Sequence, residues 1–233
     1  MRQSPDALML FAAGFGTRMG ALTADRPKPL IPVAGRPLID HALDLVRGVG
    51  ISRVVANVHY KAAMIVRHLA GRDVAIADET ARILDTGGGL RAALPLLGDG
   101  PVFTLNADAV WTGANPLTQL AAAWNPARMD ALLLLLPVAQ AAPPSGRSDF
   151  VTDAMGKITR AGTASGHVYL GAQIIATDGL AAIPDQVFSL NRLWDGMIGK
   201  GRAFGLVHRG GWCDVGHPGG IAQAEAMLAA NDA

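Results

Sequence analysis

Apolar runs of strand length alternate with longer amphipathic stretches along most of this sequence. The runs are Ala7 to Ala12, Val54 to Asn57, Asp73 to Ala77, Val102 to Leu105, Ala131 to Leu136, His167 to Ile175 and Phe204 to His208. Successive side chains of a strand point to opposite faces, so a run that is apolar throughout needs cover on both sides. The intervening stretches can supply it. Leu38 to Gly48 sets Leu38, Ala42, Leu45 and Val46 on one helical stripe. Lys61 to Leu69, Gly89 to Leu94, Pro116 to Trp124 and Ile221 to Ala230 read as helices in the same way. Strand then helix, repeated, predicts an α/β fold with a mixed, mainly parallel sheet between helical layers.

The rhythm breaks between Gln140 and Gly166, where Ala-Ala-Pro-Pro-Ser-Gly-Arg-Ser reads as a loop and Phe150 to Thr159 as a short hairpin around Met155-Gly156. This stretch, about 140–166, is expected as an insertion within one domain spanning 1–233, and as a place for substrate contacts.

Composition narrows the partners. Half of the 233 residues are hydrophobic (50%) and 17% are charged, which excludes a disordered or polyelectrolyte chain. Twenty Lys plus Arg against nineteen Asp plus Glu leave a net charge of +1. That balance argues against nucleic acid, whose binding requires many neutralised phosphates. Any bound anion should be small and locally held. The longest apolar runs, Ala7 to Ala13 and Ala131 to Leu136, fall short of the ~20 residues that cross a bilayer. Only Arg2 is basic before the first of them, and Asp6 directly precedes it, so no membrane partner and a cytoplasmic location are expected. The single cysteine, Cys213, permits no internal disulfide and suits a reducing compartment. His41, His59, His68, His167 and His208 show no zinc spacing.

The first strand runs directly into Ala12-Ala13-Gly14-Phe15-Gly16-Thr17-Arg18-Met19-Gly20. Close glycines let backbone approach a ligand, successive N–H groups can form an anion nest, and Arg18 adds a fork of donors suited to phosphate. Neither a dinucleotide fingerprint nor a P-loop fits: Met19 stands where the first needs glycine, and the second's Gly-Lys-Ser/Thr is absent. Instead there follows Arg26-Pro27-Lys28-Pro29-Leu30-Ile31-Pro32-Val33, where each proline holds its predecessor extended and Lys28 sits on a stiff mounting.

Together these two motifs resemble the signature of the sugar-1-phosphate nucleotidyltransferases. The resemblance continues through Asp85-Thr86-Gly87-Gly88-Gly89-Leu90, through Asn106-Ala107-Asp108 and through Gly211-Trp212-Cys213-Asp214-Val215-Gly216-His217. It implies a Rossmann-like three-layer nucleotidyltransferase fold with an inserted sugar-binding segment. A nucleoside triphosphate and a sugar 1-phosphate are the implied partners, in a monomer or small homo-oligomer. By the same resemblance, Ala12, Ala13, Gly14, Gly16, Thr17, Arg18 and Lys28 would hold the nucleotide, with Arg18 and Lys28 acting in catalysis. Gly87 and Gly88 would lie beside its base and sugar, and Asn106 would also bind the nucleotide.

Asp108 follows the run Val102 to Leu105, at the carboxyl end of an expected strand, where ligands of open α/β sheets collect. By spacing alone many pairs among the nineteen acids could bind a cation. The resemblance singles out Asp108 and Asp214 as ligands of Mg2+, a hard ion content with few protein ligands and several waters. Ala107 and His217 depart from the family's Gly and Thr.

The triple glycine, the run Ala93 to Asp99 and the step Ser148-Asp149-Phe150 resemble the short family members that act on N-acetylmuramate 1-phosphate in cell-wall recycling. That implies UTP as donor, with Asp149 and Gly171 facing the sugar. Guanylyl transfer to mannose 1-phosphate, a non-catalytic nucleotide sensor and a Rossmann oxidoreductase using Asp40 stay open.

Overall fold

The computed structural model describes residues 4–141 and 148–231. The expected loop is described only at Ala141 and Ser148, and residues 142–147 lie outside the described part.

Strand β1 (Ala7–Phe11) leads through the glycine loop to a small ribbon, β2 (Pro32–Val33) and β3 (Arg36–Pro37), and to helix α1 (Leu38–Asp44). Then come β4 (Arg53–Val58), α2 (Ala62–Leu69), β5 (Val74–Asp78), α3 (Asp85–Leu97), β6 (Val102–Asn106), β7 (Ala109–Gly113), α4 (Pro116–Ala123) and β8 (Ala131–Pro137). The hairpin β9 (Phe150–Thr152) and β10 (Ile158–Arg160) precedes β11 (His167–Ile175), α5 (Asn191–Gly199), β12 (Ala203–Val207), β13 (Gly210–Asp214) and α6 (Pro218–Asn231).

Each expected apolar run is a strand of one sheet. Strands β5, β4, β1 and β6 are adjacent and parallel; β11 follows antiparallel; β8 pairs with β11 and, in parallel, with β12. The expected hairpin is present and extends the sheet through β9, which meets β11 at His167 and Phe150. Strand order turns at β1: the chain builds outward to β4 and β5 and then returns to place β6 on the other side. Crossovers leave β1 in opposite directions there, and a crevice opens beyond the carboxyl ends of β1 and β6.

Alternation within the strands explains why they are apolar throughout. Leu8, Leu10, Leu132 and Leu134 pack on one face with Ile39 of α1, Ile65 of α2 and Leu117 of α4. Ala7, Met9, Leu133 and Leu135 pack on the other with Leu90 and Ala93 of α3 and Leu193 and Met197 of α5.

Helix α5 and two ribbons have no counterpart in the sequence reading: β2 with β3, and β7 with β13, the latter apart from the main sheet. The β7–β13 ribbon packs under α6 through Val110, Cys213, Val215 and Ala224, together with Met19, Ile31, Val33 and Leu38. This small core fixes the glycine loop and the Pro-Lys-Pro segment against the ribbon.

Beneath the crevice runs a buried polar chain: the Trp194 indole N–H donates to Gln173 Oε1 (2.9 Å), and Gln173 Nε2 donates to Thr104 Oγ1 (3.1 Å). It ties α5 to β11 and β6. Trp194→Phe keeps an aromatic side chain but leaves the Gln173 oxygen buried without its donor, at a cost of about 1–3 kcal/mol beyond that of the smaller ring. We expect a lower urea midpoint with an unchanged denaturant slope; an unaltered midpoint would remove this hydrogen bond from the stability of the fold.

Candidate active site

A cleft of about 230 Å³ lies at the turn in strand order, lined by Ala12, Ala13 and Gly14 after β1, by Lys28 and Pro29, and by Asn106, Ala107 and Asp108 after β6. Its far wall is Asn57, Glu79, Ile83, Asp85 and Thr86. Folding thus brings together Ala12, Ala13, Gly14, Lys28, Asn106 and Asp108, six of the residues singled out in the sequence.

Glycine shapes the loop at Gly16, where φ is +65° and a Cβ would lie 2.9 Å from Lys28 Cβ. The loop backbone therefore rests directly on the lysine stem. Thr17 and Arg18 are exposed beyond it, at the start of a 3-10 segment that packs inward through Met19. The segment is fixed, but not in the extended form expected: Pro27 is extended, while Lys28 opens a 3-10 turn (Lys28–Leu30) closed by the Leu30 N–H on the Pro27 carbonyl (2.9 Å) and the Ile31 N–H on the Lys28 carbonyl (3.0 Å). Lys28 is 7% exposed, and its Nζ donates to Asp108 Oδ2 at 2.7 Å.

Asp214 arrives from the far end of the chain. Pairing of Asp214 with Ala109 in the ribbon, and of the Val215 N–H with the Asp108 carbonyl (2.9 Å), sets both carboxylates at one end of the ribbon. A Cβ on Gly216 would lie 2.5 Å from Asp214 Oδ2 and 3.1 Å from Arg18 Nη2, so glycine is needed where these groups converge. Burial and the charge of Asp108 hold the Asp214 carboxyl above its usual range, against the opposing pull of Lys28, Arg18 and His217. The cysteine between these groups is inert: burial and Asp214 push the Cys213 thiol up to about 11.

Other expected residues are placed differently. Gly87 and Gly88 belong to helix α3, which begins at Asp85 instead of Gly89, and they do not line the cleft. Their N–H groups donate to the Phe188 carbonyl at 2.9 and 3.0 Å, so a distant segment caps the helix. A Cβ on Gly88 would stand 2.5 Å from the Gln186 carbonyl, and one on Gly89 2.6 Å from Glu79 Oε1. The triple glycine is explained by close packing on its surroundings.

Gly171 sits in a bulge of β11 with φ +79°, and its missing Cβ makes room for Asn106 Nδ2 at 2.7 Å. Asp149 is exposed and outside the cleft; its Oδ2 accepts the Tyr169 N–H (2.8 Å), which helps hold the same bulge. Asp40 is held on α1 by His68 (2.8 Å) and Arg72 (2.7 Å), away from the cleft lining, which removes the dinucleotide reading.

Asn57, Glu79 and Asp85 line the cleft but were not singled out as site residues in the sequence. The first two end or follow parallel strands, β4 and β5, and the rule that ligands gather at carboxyl strand ends points to them. Asp85 has φ +60°, rare for a residue with a side chain, and its Oδ1 accepts the Thr86 N–H at 2.5 Å.

Residues 8–154 match the model of the MobA-like NTP transferase domain. The chain belongs to this family. It is 41% identical, over 98% of its length and 99% of the relative's, to N-acetylmuramate alpha-1-phosphate uridylyltransferase of Caulobacter vibrioides. A relative with the same name in Neisseria meningitidis serogroup B is 30% identical over 95% of this chain and 98% of its own. In structure, HddC from Yersinia pseudotuberculosis complexed with GMP-PN superposes with a TM-score of 0.75 at 18% identity, covering 95% of this chain and 99% of that one. The nucleotidyltransferase expectation from the sequence is met: the chain is an NTP transferase, and the two named relatives are uridylyltransferases of a sugar 1-phosphate. No helix among the described residues is long and apolar enough to cross a membrane.

The raised Asp214 carboxyl has a measurable consequence for this transferase. A group that binds its proton more readily when folded lowers stability on ionisation; the cost is absent below the unfolded value and complete above the folded one. Asp214→Asn removes it. With metal chelated, the variant should melt above the wild type at pH 7, and the difference should vanish as pH falls toward about 3. Thermal melts across that range check this, and a variant less stable at pH 7 contradicts it.

Proposed function

We propose that this chain transfers the uridylyl group of UTP to N-acetylmuramate 1-phosphate, releasing pyrophosphate, with a magnesium ion held by Asp108 and Asp214. The observation that carries the reading is the Lys28–Asp108 contact of 2.7 Å on a cleft walled by the glycine loop. Cations and carboxylates alternate there: Lys28 touches Asp108, and Arg18 and Asp214 converge at Gly216. Such a set suits polyanions that need both direct cationic contacts and a metal.

The donor set supports magnesium. Among the described residues no group of three or more His, Cys, Asp or Glu could hold a metal. Two carboxylates alone suit a hard ion that completes its shell with water and phosphate oxygens. Charge neutralisation on the phosphates is what that ion supplies when bound.

The rest of the chemistry falls to the chain. A sugar 1-phosphate is already an anionic nucleophile, so no general base is required. Its oxygen forms a bond to the α-phosphorus as the bond to pyrophosphate breaks, and the electron pair leaves with pyrophosphate. The Lys28 ammonium carries three N–H donors, of which Asp108 accepts one. The others, with Arg18 and the loop amides, hold the triphosphate in line and counter its developing charge. Asn106 and Ala107 line the side of the cleft that would face the acceptor, with the bulge at Gly171 packed against Asn106. Near-complete matches to two relatives named for this reaction support the substrates and the reading of one catalytic domain, in which about 140–166 would be an insertion. A monomer or small homo-oligomer in the cytoplasm, recycling peptidoglycan sugars, accords with those substrates.

A matrix of four nucleoside triphosphates against sugar 1-phosphates, read by magnesium-dependent pyrophosphate release, tests the assignment. UTP with N-acetylmuramate 1-phosphate should exceed every other pair; a better rate for GTP with mannose 1-phosphate would overturn the substrate choice. Binding without release from any pair would instead mark a sensor. In the same assay Lys28→Ala should lower turnover about 10²- to 10³-fold, since a unit charge at ~4 Å contributes about 4 kcal/mol at an effective dielectric of ~20. Unchanged turnover at saturation would take Lys28 out of the reaction.

A further inference from the structure

Three separate pieces of chain meet at one buried carboxylate in the far wall of the cleft. Glu79, directly after β5, is 3% exposed. Its Oε1 accepts from Asn57 Nδ2 at 2.7 Å, and its Oε2 accepts the backbone N–H of Leu84 at 2.9 Å, one residue before helix α3. Asn57, in β4, uses its other end: Oδ1 accepts the N–H of Ala12, the first residue of the glycine loop, at 2.8 Å. Asn57 can serve both partners in only one orientation, because the Ala12 N–H needs an acceptor and the Glu79 carboxylate needs a donor. The chain Ala12–Asn57–Glu79–Leu84 therefore joins the phosphate side of the cleft to the wall carrying Ile83, Asp85 and Thr86.

We infer that Glu79 is a positioning residue for nucleoside triphosphate binding: through Asn57 and Leu84 it holds the two walls of the cleft at a fixed separation. The inference rests on the nucleotidyl-transfer reading of this cleft. It turns on the number of acceptors. A carboxylate satisfies two donors at once, whereas the amide introduced by Glu79→Gln has one acceptor oxygen and presents N–H groups to a donor. Either Leu84 or, if Asn57 turns over, Ala12 then loses its acceptor, and the wall attached to it shifts. The third glycine of α3 belongs to the same device, since a Cβ at Gly89 would stand 2.6 Å from Glu79 Oε1 and 3.2 Å from Asn57 Nδ2.

Calorimetric titration of the full chain with UTP alone, and separately with GTP, reads this without involving any sugar. Glu79→Gln should weaken both nucleotides by the same factor, about tenfold, the size expected when a buried donor goes unmet. In the pyrophosphate assay KM should rise with little change in kcat. Gly89→Ala, which displaces the carboxylate without altering its chemistry, should give the same loss. The decisive variant combines Asn57→Asp with Glu79→Gln: the new amide donates to the new carboxylate, whose second oxygen accepts the Ala12 N–H, and affinity should recover. Wild-type affinity in Glu79→Gln, or a lower melting temperature with unchanged affinity, would overturn the inference. A loss confined to one base would replace it with a direct base contact, and failure of the paired swap to restore binding would also defeat it. Equal weakening of all nucleotides in a protein that prefers another sugar would leave the inference standing while the proposed acceptor fell.

Discussion

Strand order turns at β1, and at that turn the sheet leaves its own backbone unfinished. The chain leaves β1 for the glycine loop, so the Ala12 N–H takes its acceptor from the side chain of Asn57 on the neighbouring strand. A buried N–H left unmet there would be costly. Asn57 in turn depends on Glu79, and Glu79 on a glycine in α3 that lets it approach. One topological event thus fixes the position of the loop, the identity of two polar side chains and the size of a residue in a helix.

The opposite wall answers a different demand, the gathering of charge. Lys28 and Asp108 would each be costly to place near the floor of a cleft alone, and their contact offsets much of that cost. Asp214 is less well served. Its carboxyl is pushed upward by burial and by Asp108 even with Lys28, Arg18 and His217 nearby, so folding holds together groups that repel. A cation between two carboxylates relieves that repulsion. A site that is uneasy when empty is suited to selecting a metal and polyphosphate together.

Much of this was legible from residue order. The strands could be read because a run apolar on both faces has few other uses; the Pro-Lys-Pro segment stood out because proline limits backbone freedom, although Lys28 enters a 3-10 turn where an extended residue was expected, its carbonyl closing the turn on the Ile31 N–H. The ribbon β7–β13 was not legible: β7 begins one residue after Asp108 and its partner lies about a hundred residues away, with no local pattern to announce the pairing. The triple glycine was read as a nucleotide contact, whereas its N–H groups meet Phe188 and its open flanks meet Gln186 and Glu79. A missing side chain looks the same in sequence whether it admits a ligand or another part of the protein. Asp149 poses a related ambiguity, since a carboxylate beside a hairpin can serve the backbone, as it does here at the Tyr169 N–H, as readily as a sugar.

By itself the sequence determined the class of fold, the loop that follows the first strand and the proline-flanked setting of Lys28, because periodicity, proline and glycine act over short range. Only the tertiary structure decided which of these groups share a cleft. The register of β13 on β7 brings Asp214 to Asp108, and the approach of α3 to β4 and β5 closes the relay through Glu79. Both depend on pairings between residues far apart in the chain, whose partners are chosen by packing and hydrogen-bond satisfaction across the whole core.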